Sequence, residues 1–120
     1  MDEKDPKNHL YVNITLITQQ MRIRPEVYRK ILKSFAYELN DKVEKMTALI
    51  YENELEPAKK ILHEIRGTAS NLRLDDLVEE ISRIQSALEG DTIKEGPNVF
   101  TKLKQEIGRL VKFVQGFKQS

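Results

Sequence analysis

The chain has 120 residues, carries 20 Lys and Arg against 19 Asp and Glu, and has no cysteine. That length supports a single domain with one modest core, and the lack of cysteine excludes disulfides, thiolate catalysis and zinc–thiolate sites. A net charge of +1 argues against an overall basic nucleic-acid binder, and a charged share of 32% suits amphipathic helices with solvated outer faces.

Residues 1–12 begin Met1-Asp2-Glu3-Lys4-Asp5 and read as a charged, flexible tail, too polar for a signal peptide. His9, near its end, reads as an ordinary exposed histidine. No apolar run approaches the ~18 residues a membrane span needs. A soluble, cytoplasmic protein with no direct membrane contact is therefore expected. The domain proper is expected over residues 13–118. Asn13 is placed to cap a short helix carrying Ile14, Leu16, Ile17 and Met21, which would lie as a lid over one end of a bundle.

Pro25 suits the first position of the next helix, where its missing N–H costs no hydrogen bond. From there Val27, Ile31, Leu32, Phe35, Leu39, Val43, Met46 and Ile50 keep a spacing of three and four as far as Glu52. Asn40-Asp41 is the expected bend, because both side chains offer the backbone competing hydrogen bonds. Asn53 is suited to stop the helix in a left-handed conformation. Pro57 is expected to open the following helix, whose stripe is Ala58, Leu62, Ile65, Ala69 and Leu72, with Ile61 at the edge. After a sharp turn, Leu74, Leu77, Ile81, Ile84 and Leu88 mark a third long helix. Asp75 and Asp76 favour its positive first turn, and Gly90 follows its end. Residues 91–96 read as loop. Pro97 or Asn98 starts the last helix, striped by Phe100, Leu103, Ile107, Leu110, Val114 and Phe117. No stretch alternates with period two, so no sheet is expected. The prolines cut the pattern into pieces that fold back on one another. The expected class is all-α: an antiparallel, up-and-down four-helix bundle with a short extra N-terminal helix.

One residue stands apart from this pattern. On a helix at about 100° per residue, His63 lies opposite the stripe of its own helix, with Gly67 one turn further on and Lys59, Lys60, Arg66 and Ser70 around it. Glycine in a helix interior costs roughly 1 kcal/mol relative to alanine. The expected reason is access: Gly67 would clear space beside the imidazole for something large to approach.

Enzyme chemistry finds little support. Two histidines far apart do not make a metal cluster, so no metal site is expected. The carboxylates fall on outer faces or helix ends, no serine is paired by spacing with His63, and no phosphate-binding glycine loop is present. What remains is His63 as a nucleophile in its own right, since imidazole nitrogen can attack phosphorus near neutral pH. Lys59 and Arg66, one turn to either side, are spaced to reach the resulting phosphoryl group. Among lysines, a solvent-facing histidine is also simply a surface residue, and chemistry alone does not separate the two.

The run His63-Glu64-Ile65-Arg66-Gly67-Thr68-Ala69-Ser70-Asn71-Leu72 resembles the signature of histidine-containing phosphotransfer (HPt) domains: a histidine, a basic residue three on, glycine four on, small residues, then Asn-Leu. Helix order around it matches as well, from about Ile14 to Phe117. The resemblance implies that Nε2 of His63 carries a phosphoryl group between a histidine kinase or receiver aspartate and the aspartate of a response-regulator receiver. The protein would be a monomeric phosphocarrier and not an enzyme. It would need no cofactor of its own, because the Mg²⁺ ion belongs to the partner receiver. The family often steadies the histidine's Nδ1 with a Gln or Glu twenty-two positions on, where Gln85 stands. Two departures are Arg66, in place of the usual lysine, and Arg73, where glycine is common. The docking face expected around His63 comprises Lys59, Lys60, Gly67, Ser70 and part of the first short helix. The competing readings are a kinase-dimerisation bundle and a helical adaptor that does not use its histidine.

Overall fold

In the computed structural model, residues 3–5, 10–90 and 98–117 are described, with side chains over 13–90 and 100–117. Five helices follow a short N-terminal ribbon: α1 (Ile14–Met21), α2 (Pro25–Tyr51), α3 (Leu55–Asn71), α4 (Asp75–Glu89) and α5 (Asn98–Gln115). The four long ones close a ring in which α2 packs on α3, α3 on α4, α4 on α5 and α5 on α2, while α1 lies against α2. This is the expected four-helix bundle with its extra helix. At about 1.5 Å per residue the 27 residues of α2 span about 40 Å, close to the molecule's longest extent of 43 Å.

The starts and stops are local chemistry. The Asn13 side chain accepts from the Leu16 N–H at 3.0 Å and caps α1. Pro25 sits in the first turn of α2. Helix α2 ends in a Schellman turn, with Asn53 at φ 62° and bonds from the Asn53 N–H to the Ile50 carbonyl and from the Glu54 N–H to the Leu49 carbonyl. Helix α3 ends the same way. Arg73 takes φ 62°, donating to the Ser70 carbonyl, and Leu74 donates to that of Ala69. The turn after Leu72 is thus the one a glycine would make, with an arginine in its left-handed position.

The core is one cluster spanning all five helices, from Ile14 and Ile17 through Leu39, Ile65 and Ile84 to Val114. Its α3, α4 and α5 stripes are those the sequence spacing marks, apart from Phe117, which is half-buried.

Four expectations need correction. Val27 and Ile31 are 37% and 44% exposed, and Tyr28 takes the buried place instead. The buried ridge of α2 runs Tyr28, Leu32, Phe35, Ala36, Leu39, Val43 and Met46, about 100° round from Val27 and Ile31. Helix α2 continues through Asn40-Asp41 without interruption, because the apolar ridge on either side holds it. Pro57 does not open α3; it falls third, where an N–H would still have no intrahelical acceptor. The tail expected over residues 1–12 contains paired backbone: β1 (Glu3–Asp5) and β2 (Leu10–Val12) run antiparallel, with Lys4 opposite Tyr11, and β2 lies near α5. His9, the loop at 91–96 and Pro97 lie outside the described residues.

Candidate functional site around His63

Helix α3 buries Ala58, Leu62, Ile65 and Ala69 between its neighbours, and that packing fixes what faces out. His63, Lys60, Arg66, Gly67 and Ser70 are all exposed, and Lys59 is half-buried. The imidazole therefore stands on the outer ridge of the bundle, held by a rigid helix and not by a loop. Among the described residues a Cβ built on Gly67 would meet nothing within 4 Å, so no packing demand from them explains the glycine. The open space lies one turn from the ring, on the same ridge.

The charges divide by side. Lys59 donates to Glu56 at 3.3 Å along the helix, while among the described residues Lys60 and Arg66 form no ion pair and remain available to an anion. On the α2 side, Glu64 accepts a hydrogen bond from Lys42 Nζ at 2.8 Å. That bond and charge, with Lys45 beyond, hold the Glu64 carboxyl below its ordinary range. Thr68 turns its hydroxyl back to the Glu64 carbonyl at 3.3 Å, so it adds no donor toward His63.

Beside this ridge, α2 and α3 leave a groove of about 330 Å³ lined by Lys30, Ile31, Ser34, Phe35, Glu38, Lys42 and Thr68. Leu16 on α1 and Val27 on α2 are large apolar residues also left facing water. The sequence pattern assigned Val27 and Ile31 to the core. It gave no sign of Lys42, whose pairing joins residues 22 apart on different helices.

Gln85 is half-buried on α4. With α3 ending at Asn71 and α4 starting at Asp75, Gln85 lies about level with His63 across the antiparallel pair. Among the described residues no hydrogen bond joins the two. Nor does any group of three or more His, Asp or Glu there stand close enough to hold a metal ion, and no helix is long and apolar enough to cross a membrane. Comparison of the chain with protein-family models, curated proteins and solved structures finds no match.

The described side chains of this ridge place an exposed imidazole nitrogen among cations, an arrangement able to present a nucleophile to an anionic electrophile brought by another molecule.

Proposed function

We propose that this chain is a phosphorelay carrier of the HPt type, taking a phosphoryl group on His63 and handing it to a response-regulator receiver. The observation that carries the reading is the exposed His63 with open space over Gly67. The Nε2 lone pair attacks the phosphorus of a receiver's aspartyl phosphate. The new P–N bond forms as the P–O bond breaks, and the aspartate leaves as carboxylate; the reverse step loads the next receiver. Lys59, Lys60 and Arg66 offset the two negative charges gained on the ring. Gln85 is proposed to turn toward Nδ1 in the loaded state and fix the tautomer. Acid chemistry and Mg²⁺ are supplied by the partner.

Receivers dock, in this reading, over α3 and the adjoining face of α1 and α2. Leu16, Val27 and Ile31 offer the apolar contact there, and Lys60 and Lys30 a basic rim for an acidic active site. A small interface of this kind lets go after transfer. The chain acts as a monomer, in the cytoplasm, between a histidine kinase and its regulators.

Incubation with radiolabelled phospho-receiver domains tests this. The label is expected on the protein, lost in acid, retained in base, and absent from a His63→Gln variant. Label that persists in that variant, or that no receiver or kinase transfers, would overturn the reading.

A further inference from the structure

Within one helical turn of His63 on either side, α3 carries three cations and a single carboxylate, Glu64. That carboxylate is exposed and adjoins the nucleophile, where an incoming phosphoryl donor would meet it as a like charge. It is not left bare. Lys42 reaches across from α2 to hydrogen-bond it at 2.8 Å, with Lys45 behind. Helix α3's other described carboxylate, Glu56, is likewise engaged by Lys59. Both ends of the bridge are substantially exposed, with side chains 40% and 64% accessible, so as a fold-stabilising device it is weak. Its effect on the field over the ridge is larger, because it offsets the carboxylate next to the nucleophile; Glu38, on the α2 wall of the groove, is the other carboxylate on that side.

We propose that Lys42 is a positioning residue for phosphoryl transfer, acting through Glu64: it neutralises the carboxylate beside His63 so that an anionic phosphoryl donor can approach. The inference rests on His63 being a phosphoacceptor. It assigns Lys42 no contact with the phosphoryl group; the ammonium works by what it cancels.

The test uses potassium phosphoramidate, an anionic donor small enough to need no docking surface. Its P–N bond to ammonia breaks as the P–N bond to the imidazole forms, and ammonia leaves. Label on His63 is taken as the difference from His63→Gln. Lys42→Met is expected to slow labelling about threefold at low salt, in line with one uncancelled charge at a distance of several ångströms, and hardly at all in about 1 M salt. Lys42→Arg keeps the wild-type rate. Glu64→Gln alone is at least as fast as wild type, and the Lys42→Met/Glu64→Gln double variant recovers it. A double variant as slow as Lys42→Met would mean that Lys42 acts on the anion directly, and would overturn the proposal, as would a Lys42→Met rate equal to wild type. In either case a wild type that labels normally leaves the relay reading standing. A wild type that takes no label on His63 from phosphoramidate overturns this proposal, and the phospho-receiver assay separately decides the relay reading. Circular dichroism of each variant checks that the bundle is intact.

Discussion

The Tyr28 hydroxyl donates to the Leu72 carbonyl at 2.6 Å, tying the start of α2 to the end of α3 across 44 positions of sequence. The carbonyl is one of the last of its helix, without an intrahelical donor, and both residues are buried. Burial pushes the phenol's pKa up to about 12, against a small opposing pull from Arg73. The sign follows: the unfolded chain loses this proton near pH 10 while the folded one keeps it. The contribution is therefore whole below pH 10 and is lost as pH rises toward 12, amounting to about 2–3 kcal/mol. Urea unfolding at pH 8 and at steps above 10 should show the fall in wild type and a shallower one in Tyr28→Phe. At pH 8 the variant should be less stable by about 1–3 kcal/mol, because it leaves a buried carbonyl without a donor.

Arg73 occupies the left-handed position of the α3–α4 turn at φ 62°. A side chain there costs about 1–2 kcal/mol, which glycine avoids, though glycine gives back part of it through a freer unfolded chain. Arg73→Gly should therefore stabilise the protein by about 1 kcal/mol, raising Tm by about 4 °C in calorimetry. Asn53→Gly, at the same kind of turn, should gain less, since asparagine tolerates the conformation.

Helices were legible because the apolar period of α3, α4 and α5 coincides with their buried faces, and because Asn13, Pro25 and Asn53 mark boundaries by local hydrogen bonding. Helix α2 shows where periodicity misleads. Val27 and Ile31 continue the spacing as well as Tyr28 does, and are the more apolar; what the pattern does not show is that the Tyr28 hydroxyl has a carbonyl waiting for it inside the bundle. At the site, His63 and its neighbours on one helix were readable from spacing alone. The Lys42–Glu64 bridge and the groove beside it depend on how α2 meets α3, which no single-helix pattern encodes. Three-residue strands such as β1 and β2 carry too few positions for an alternation to be seen.

Ile31 offers a direct test of the docking face. It is 44% exposed on the wall of the groove, so Ile31→Ser should change stability by no more than about 0.5 kcal/mol. If partners dock there, the same change should raise the half-saturating receiver concentration in the transfer assay several-fold while the maximal rate holds. Phosphorylation by phosphoramidate, which needs no docking, should be unaltered.

Gly67 and Gly108 form a matched pair. Both lie inside helices, both are exposed, and a Cβ on either would meet nothing within 4 Å. Only the first stands beside His63; the second is on α5, which packs on α2 and α4, diagonally across the ring from α3. Replacing either by alanine should stabilise the fold by up to about 1 kcal/mol, since helix propensity improves and nothing is crowded. The two should part on function. Gly108→Ala should transfer phosphoryl groups at the wild-type rate. Gly67→Ala should slow transfer, and Gly67→Gln, with helix content unchanged by circular dichroism, should abolish it by filling the space through which a receiver reaches Nε2. A more stable protein that no longer relays would locate the reason for the glycine outside the molecule's own packing. Equal transfer by Gly67→Gln and wild type would show that the space over Gly67 is not the route.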